Sequence, residues 1–186
     1  MKNSIELMIE EHTYIKRLLK VVRKASLDIF NGGEVDADDF EDMIDFVRNY
    51  ADNHHHGKEE KFLFVEMINH LGPLADKLIT HGMLVEHDLG RLYMSDAHAA
   101  LDKIREGDQE SKLDLVANVM GYAYLLNRHI DKENSVVFNF AEKQLPKEIL
   151  EQVDAASHKF EEEALEKGTQ KYYIDMLERL EAKYLS

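Results

Sequence analysis

Three consecutive histidines, His54, His55 and His56, stand just ahead of two glutamates, Glu59 and Glu60, in a stretch that otherwise reads as a long helix. The run is internal, short and flanked by helical periodicity, which sets it apart from a purification tag. His55 and Glu59 are four residues apart, and so are His129 and Glu133. On a helix an i,i+4 pair shares one face, so each pair can offer an imidazole and a carboxylate to one metal ion or to two adjacent ones. Two more histidines, His12 and His87, fall on the apolar stripes of other segments. A single histidine on such a stripe reads as an ordinary core residue, and a single His–Glu pair as a surface pair. Four histidines and two glutamates, all facing inward, do not fit that reading well, because buried charge without a partner is costly.

The elements that must carry these side chains are legible. Asn3 and Glu6 form a capping-box pattern ahead of a helix from Ser4 to Phe30, with a stripe of Ile5, Met8, Ile9, His12, Ile15, Leu19 and Val22 that stops at Asn31-Gly32-Gly33. Acidic residues from Asp36 to Asp39 open a second helix, whose stripe of Phe40, Ile44, Val47 and Ala51 runs on through His55, Glu59, Phe62 and Leu63. Gly72-Pro73 opens a third, with Leu84, His87, Gly90, Arg91, Met94 and Leu101 on one face. Ser111 is a candidate cap for a fourth, which carries Leu115, Tyr122, Leu125, Leu126, His129, Glu133, Val136, Val137 and Phe140 and ends before Pro146. The tail gives two more amphipathic pieces broken at Lys167-Gly168-Thr169, and its last stripe, Tyr173, Ile174, Leu177, Leu180 and Tyr184, suits packing on the bundle side or a homodimer contact. Nothing in the tail looks chemical.

The expected fold is therefore all-α: an up-down-up-down antiparallel four-helix bundle with one or two additional C-terminal helices. Residues 1–145 would form the bundle, and 146–186 an extension packed on it. In such a bundle the histidine heights can be estimated from the helical rise. Counting from Ser4, His12 lies at about 12 Å, His55 at about 14 Å, His87 at about 12 Å and His129 at about 11 Å along the axis. All four fall within one helical turn, which scattered core histidines have no reason to do. Six ligands exceed the needs of one tetrahedral zinc, so a two-metal site is expected. Imidazole and carboxylate without sulfur suit iron, manganese or zinc, with a di-iron centre the first choice.

Composition narrows the remaining classes. The chain has 186 residues, long enough for one domain with a real core, and only 2 prolines, 9 glycines and no tryptophan. It has no cysteine, which excludes disulfides, thiolate metal sites and cysteine nucleophiles. A net charge of −14 argues against nucleic acid and anionic membrane surfaces as partners. The N-terminus lacks an apolar signal core and no 18 apolar residues run together, so a soluble cytoplasmic protein is expected.

The segments Glu10–His12, His55–Phe64, Val85–Arg91 and His129–Phe138 resemble, in order and spacing, the hemerythrin family in its HHE cation-binding branch. The resemblance spans the whole chain and implies a four-helix bundle with a non-haem, oxo- or hydroxo-bridged di-iron centre that binds O2 or a related small molecule. It also implies His12, His55, His87 and His129 as ligands, with Glu59 and Glu133 as bridging carboxylates. Two departures stand out. The family's oxygen carriers have a second histidine four residues before the helix-three ligand, where this chain has Met83, and they end with HxxxxD where this chain has HxxxE. The glutamate resembles instead the repair and iron-sensing relatives, and iron-sensing members have a ligand directly after the helix-two histidine, a place filled here by His56. His54 and His56 lie about 100° to either side of His55 on a regular helix. His81, about 120° around from His87, is the competing extra ligand and would need a local distortion. His54, His70, His98 and His158 are expected to be structural or exposed.

The expected function is that of a non-haem di-iron protein that binds O2, NO or peroxide, or iron itself, for sensing or storage. The alternative is a di-iron enzyme that reduces NO or peroxide or repairs iron–sulfur clusters, with Tyr122 as a candidate proton donor. A ferritin-like oxidase is set aside, because its Glu-x-x-His pairs run in the opposite order. The redox partner cannot be read from the sequence.

Overall fold

The structure is a computed structural model describing residues 2–186, and among these there are helices and no strand. The first helix, α1 (Ser4–Phe30), opens with the expected capping box: the Asn3 side chain accepts from the Glu6 N–H at 2.8 Å, and Glu6 accepts from the Asn3 N–H at 3.0 Å. The second rod begins at α2 (Ala37–Phe46), where the Asp36 carboxylate accepts the Asp39 N–H. It continues through π-helical segments at Val47–His56 and Glu59–Leu63 into α3 (Phe64–Leu78).

Helix α3 is broken at Gly72, whose φ of 73° and ψ of −166° belong to a region essentially reserved for glycine. The chain turns there, and Pro73 starts the third rod, which passes through a π-helical turn at Ile79–Met83 into α4 (Leu84–Arg105). The fourth rod is α5 (Ser111–Lys132), a π-helical turn at Glu133–Val137 and α6 (Phe138–Gln144). Its start differs from the expected one. Ser111 is already helical, and the Asp108 carboxylate does the capping, accepting the Glu110 N–H at 3.0 Å and the Ser111 hydroxyl at 2.8 Å.

Each rod packs on the next, and the fourth returns to the first, closing a four-helix bundle. Two tail helices follow, α7 (Lys147–Glu166) and α8 (Thr169–Tyr184), with Gly168 at φ 73° between them. The face of α8 that suited a bundle or dimer surface is turned onto α1 and α2, where Tyr173, Met176, Leu177 and Leu180 join the main apolar core. Helix α7 lies against α1 and the Glu59–Leu63 turn.

Two apolar cores result. One gathers Ile15, Leu18, Phe40, Ile44, Phe46, Leu101, Leu115 and the α8 residues, and the other gathers Ile5, Met8, Leu63, Phe64, Met67, Ile79, Val137 and Phe138. Each fully buried side chain of this kind contributes about 1.5–3 kcal/mol. His12, His55, His56, Glu59, His87, His129 and Glu133 are all buried, and on the rods they stand between residues of the two cores.

Candidate metal centre

Each of the second, third and fourth rods changes helical form where it meets this polar layer. His55 and His56 end one π-helical segment and Glu59 begins the next; His87 follows the Ile79–Met83 turn by a few residues; Glu133 begins the Glu133–Val137 turn. An i→i+5 turn is wider than an α-turn and rotates less per residue, so adjacent side chains diverge less. His55 and His56 can therefore both face the interior, and all three histidines of the triplet are buried.

The seven side chains converge in two groups. His12, His55, Glu59 and Glu133 form one, and His56, Glu59, His87 and His129 the other, with the donor atoms of each group within 4.8 Å of one another. Glu59 belongs to both, standing 3.6 Å from His55 Nε2 through one oxygen and 3.6 Å from His87 Nε2 through the other. Glu133 also reaches across, with one oxygen 3.3 Å from His12 Nε2 and the other 2.9 Å from His129 Nε2. His81, the competing candidate, is exposed and turned to Thr80 at 2.8 Å, so it takes no part.

The outer nitrogens of the histidines follow a circular pattern. Each rod supplies, from a residue adjacent to one of its own inward-facing residues, an oxygen acceptor for the histidine of the following rod. Glu11 accepts from His55 Nδ1 at 2.8 Å, Glu60 from His87 Nδ1 at 2.7 Å, Glu86 from His129 Nδ1 at 2.8 Å, and Asn134 from His12 Nδ1 at 2.8 Å. His56 Nδ1 finds Asp52 on its own rod at 3.2 Å. Because every one of these partners is an acceptor, each Nδ1 carries a hydrogen and each Nε2 is turned inward.

The inward polar atoms are largely unpaired within the protein. His12 Nε2, His55 Nε2 and all four carboxylate oxygens of Glu59 and Glu133 are buried without a hydrogen-bond partner. Burial and the neighbouring Glu133 carboxylate push Glu59 well above its usual range. Burial, with His12 beside it, holds His55 down at about 4. Burial lowers His129 too, but the Glu133 carboxylate 2.9 Å away and the hydrogen bond to Glu86 raise it to about 9. His87 Nε2 and His129 Nε2 are only 3.0 Å apart, a spacing that two bare lone pairs tolerate only with a proton or a cation between them.

This donor set fits metal ions. With bonds of about 2.1 Å, two ligands of one ion lie about 3.0 Å apart at a right angle and about 3.4 Å apart at the tetrahedral angle. The inward contacts of 2.9 to 3.6 Å span that range.

Further residues surround this layer. His54, expected to be structural or exposed, is structural: it is buried beside Glu11 at 3.1 Å and Glu161 at 3.2 Å. Lys58 is buried as well, and its ammonium bonds Glu11, Glu161 and His54 Nε2 together. Glu161 comes from α7, so the tail reaches the outer partners of this layer. Arg91 clamps outer partners, contacting Asp52 at 2.7 Å and Glu60 at 2.6 Å. Only the ring positions had a signal, since Glu11, Glu60, Glu86 and Asn134 each adjoin an inward residue in the sequence.

A cleft of about 420 Å³ opens on the second group, lined by His56, His87, Asp52, Gly90, Arg91 and Tyr122 among others. Gly90 leaves room there: a Cβ would come within 3.3 Å of the Tyr122 ring. The Tyr122 hydroxyl itself is enclosed and without a partner, and burial pushes its pKa well above the usual value, so it keeps its proton. His70, His98 and His158 lie elsewhere, against Glu66, against Glu41 and Asp102, and against the Lys2 carbonyl. Among the described residues no helix is long and apolar enough to cross a membrane.

Comparison with known proteins agrees with this geometry. The chain is 24% identical over 131 residues to an uncharacterized protein of Mycobacterium bovis and to uncharacterized proteins of two Mycobacterium tuberculosis strains. The match covers 70% of this chain, and the chain spans about half the length of those curated relatives. No solved structure matches the chain. The model of the hemerythrin HHE cation-binding domain matches residues 3–141. The chain thus belongs to the hemerythrin HHE cation-binding family, and its buried His/Glu clusters fit a metal site.

Proposed function

We propose that this protein holds two metal ions, iron in the first instance and manganese or zinc otherwise, and binds O2, NO, peroxide or iron itself for sensing or storage. His12 and His55 would hold one ion, and His56, His87 and His129 the other, with Glu59 and Glu133 shared between them. The supporting observation is the set of buried inward nitrogens and carboxylate oxygens, unpartnered in the protein and spaced as ligands of common ions. When bound, a pair of iron ions supplies electrons and open positions for a small ligand.

The chain's own residues do the rest. Glu11, Glu60, Glu86, Asn134 and Asp52 orient the rings and turn each Nε2 inward. The apolar cores exclude water from the sides, while the cleft beside His56 and His87 gives a small molecule its approach. The five histidines include His56, which directly follows the second-rod histidine as the ligand of iron-sensing relatives does, whereas the second third-rod histidine of the reversible carriers is Met83 here. This placement supports sensing or storage over transport. We take residues 1–145 as the bundle unit, residues 146–186 as its flank, and the protein as cytoplasmic, where cellular reductants keep iron ferrous.

A second reading is an enzyme that reduces NO or peroxide or serves in iron–sulfur cluster repair. The cleft of about 420 Å³, far above the roughly 30 Å³ share of a water-sized molecule, favours the repair form of that reading, whose substrate is larger than a diatomic.

The experiment is ferrous loading of the untagged protein without oxygen, followed by metal analysis and optical spectra before and after air. Two irons per chain and new near-ultraviolet charge-transfer absorption on exposure are expected. A chain that remains colourless and metal-free is incompatible with the proposal. Repeated turnover of NO or peroxide by the reduced protein, in place of one stoichiometric event, selects the enzyme.

A further inference from the structure

Three of the four links in the ring around the metal layer end on a cation. Lys58 clamps Glu11, Arg91 clamps Glu60, and Lys132 clamps Glu86. The side chains of Arg91 and Lys132 are 40% and 44% exposed, whereas that of Lys58 is 0% exposed. A buried ammonium persists only where its charge is matched and its hydrogens are taken up. Lys58 meets that requirement with Glu11, His54 Nε2 and, from the tail helix α7, Glu161.

We propose that Glu161 and Lys58 are positioning residues for the ion held by His12 and His55, which makes the tail a working part of the metal centre. This rests on the two-ion reading above. The contacts form an unbroken line from α7 to a ligand: Glu161 to Lys58, Lys58 to Glu11 Oε1, and Glu11 Oε2 to His55 Nδ1 at 2.8 Å. Glu11 spends one oxygen on the lysine and the other on the histidine, so the lysine sets the angle at which the histidine is held. Glu161 is itself fixed from α8, where the Gln170 amide donates to its Oε2 at 2.9 Å. Glu11, His54 and Glu161 also have the spacing of a third metal group, but Lys58 Nζ already bonds all three and serves as the cation there. Nothing equivalent ties the tail to His87 or His129, whose outer partners Glu60 and Glu86 are clamped by Arg91 and Lys132.

The test is a titration of the full-length, metal-free protein with Co(II), read by visible absorption against a competing chelator, so that two binding steps are resolved. In Glu161→Gln one step should weaken about 10-fold, the low end of what losing an outer partner costs a metal site, and the other should stay within about 2-fold. Arg179→Gln provides the comparison: it removes a different tail ion pair, that of α8 with Asp39 and Asp42 on α2, and should move neither step.

Unchanged steps in Glu161→Gln overturn the proposal. So does an equal weakening of both steps, or the same loss in Arg179→Gln, since either makes general docking of the tail the cause. A wild-type protein that binds no Co(II) overturns the two-ion reading together with the proposal, and this is seen before any variant is made. If Glu161→Gln does not fold, Glu161→Asp, which keeps the charge but draws it back by one methylene, decides on the same criterion.

Discussion

The two sides of the metal layer have the same kinds of donors and opposite surroundings. On one side the His12 ring stacks against Phe138 at 5.6 Å, and His55 is backed by Glu11 and the buried Lys58. On the other, His56 and His87 stack at 3.7 Å and form part of the wall of an open cleft, with Asp52 and Arg91 beside them. On the two-ion reading, the enclosed ion is held and the cleft-side ion is met by solvent and ligand. The difference teaches that ligand identity alone does not assign roles in such a site; the outer partners and the access route do.

The largest effect should come from breaking what the two sides share. Glu133→Gln removes a carboxylate that approaches both groups, and uptake should fall below one ion per chain. Affinity should drop by more than about 100-fold, because losing an outer partner alone costs about 10–100-fold. Metal analysis after dialysis measures it. The same variant should destabilise the metal-free protein by about 3–5 kcal/mol in denaturant melts, since it removes the buried counter-charge of His129, 2.9 Å away.

Next in size is the contrast between His12→Ala and His87→Ala. Each should lose one ion by the same stoichiometric measure, but only His87→Ala should also abolish the optical response to added ligand, because only that side adjoins the cleft. Equal responses in the two variants would erase the distinction between the sides.

A smaller effect separates access from binding. Gly90→Leu fills the cleft against Tyr122, and stopped-flow mixing with O2 or NO should show about a 10-fold slower reaction at unchanged metal content. A stability loss of about 1–3 kcal/mol from overpacking should accompany it.

The smallest effect on metal binding, no change, is expected from the docking of the tail away from the metal layer. Asp39 joins Arg179, Lys183 and the Tyr184 hydroxyl, and although burial raises its pKa, these partners hold it below the usual value of 3.8. A depressed folded-state pKa contributes stability that is present above about pH 4 and lost as pH falls through the folded value. Asp39→Asn should cost about 1.5–3 kcal/mol at neutral pH, as expected for hydrogen bonds to a charged group, and should flatten the acid limb of the melting profile.

How much of this could be read from the sequence depended on the reach of each interaction. The heights of His12, His55, His87 and His129 follow from helix starts and a constant rise, both marked by caps and by Gly72-Pro73, so the layer was predictable. His56 and His54 were both ambiguous for one reason. The π-helical segment Val47–His56 rotates less per residue than the regular helix assumed, and no residue pattern announces it. His81, in the π-turn at Ile79–Met83, faces outward and lies outside both groups. Glu161 carried no local signal at all: its partner Lys58 is 103 residues away, and that meeting depends on where α7 packs. The ring of outer acceptors was visible only as ordinary polar neighbours, three glutamates and Asn134, because which histidine each one serves is decided by the following rod.

The most direct measurement is crystallography of the iron-loaded protein, with anomalous data on both sides of the iron absorption edge. Two peaks are predicted, one among His12, His55, Glu59 and Glu133 and one among His56, Glu59, His87 and His129, with Lys58 unmoved beside Glu11. No peak within this layer, or iron bound instead among Glu11, His54 and Glu161, would contradict the account.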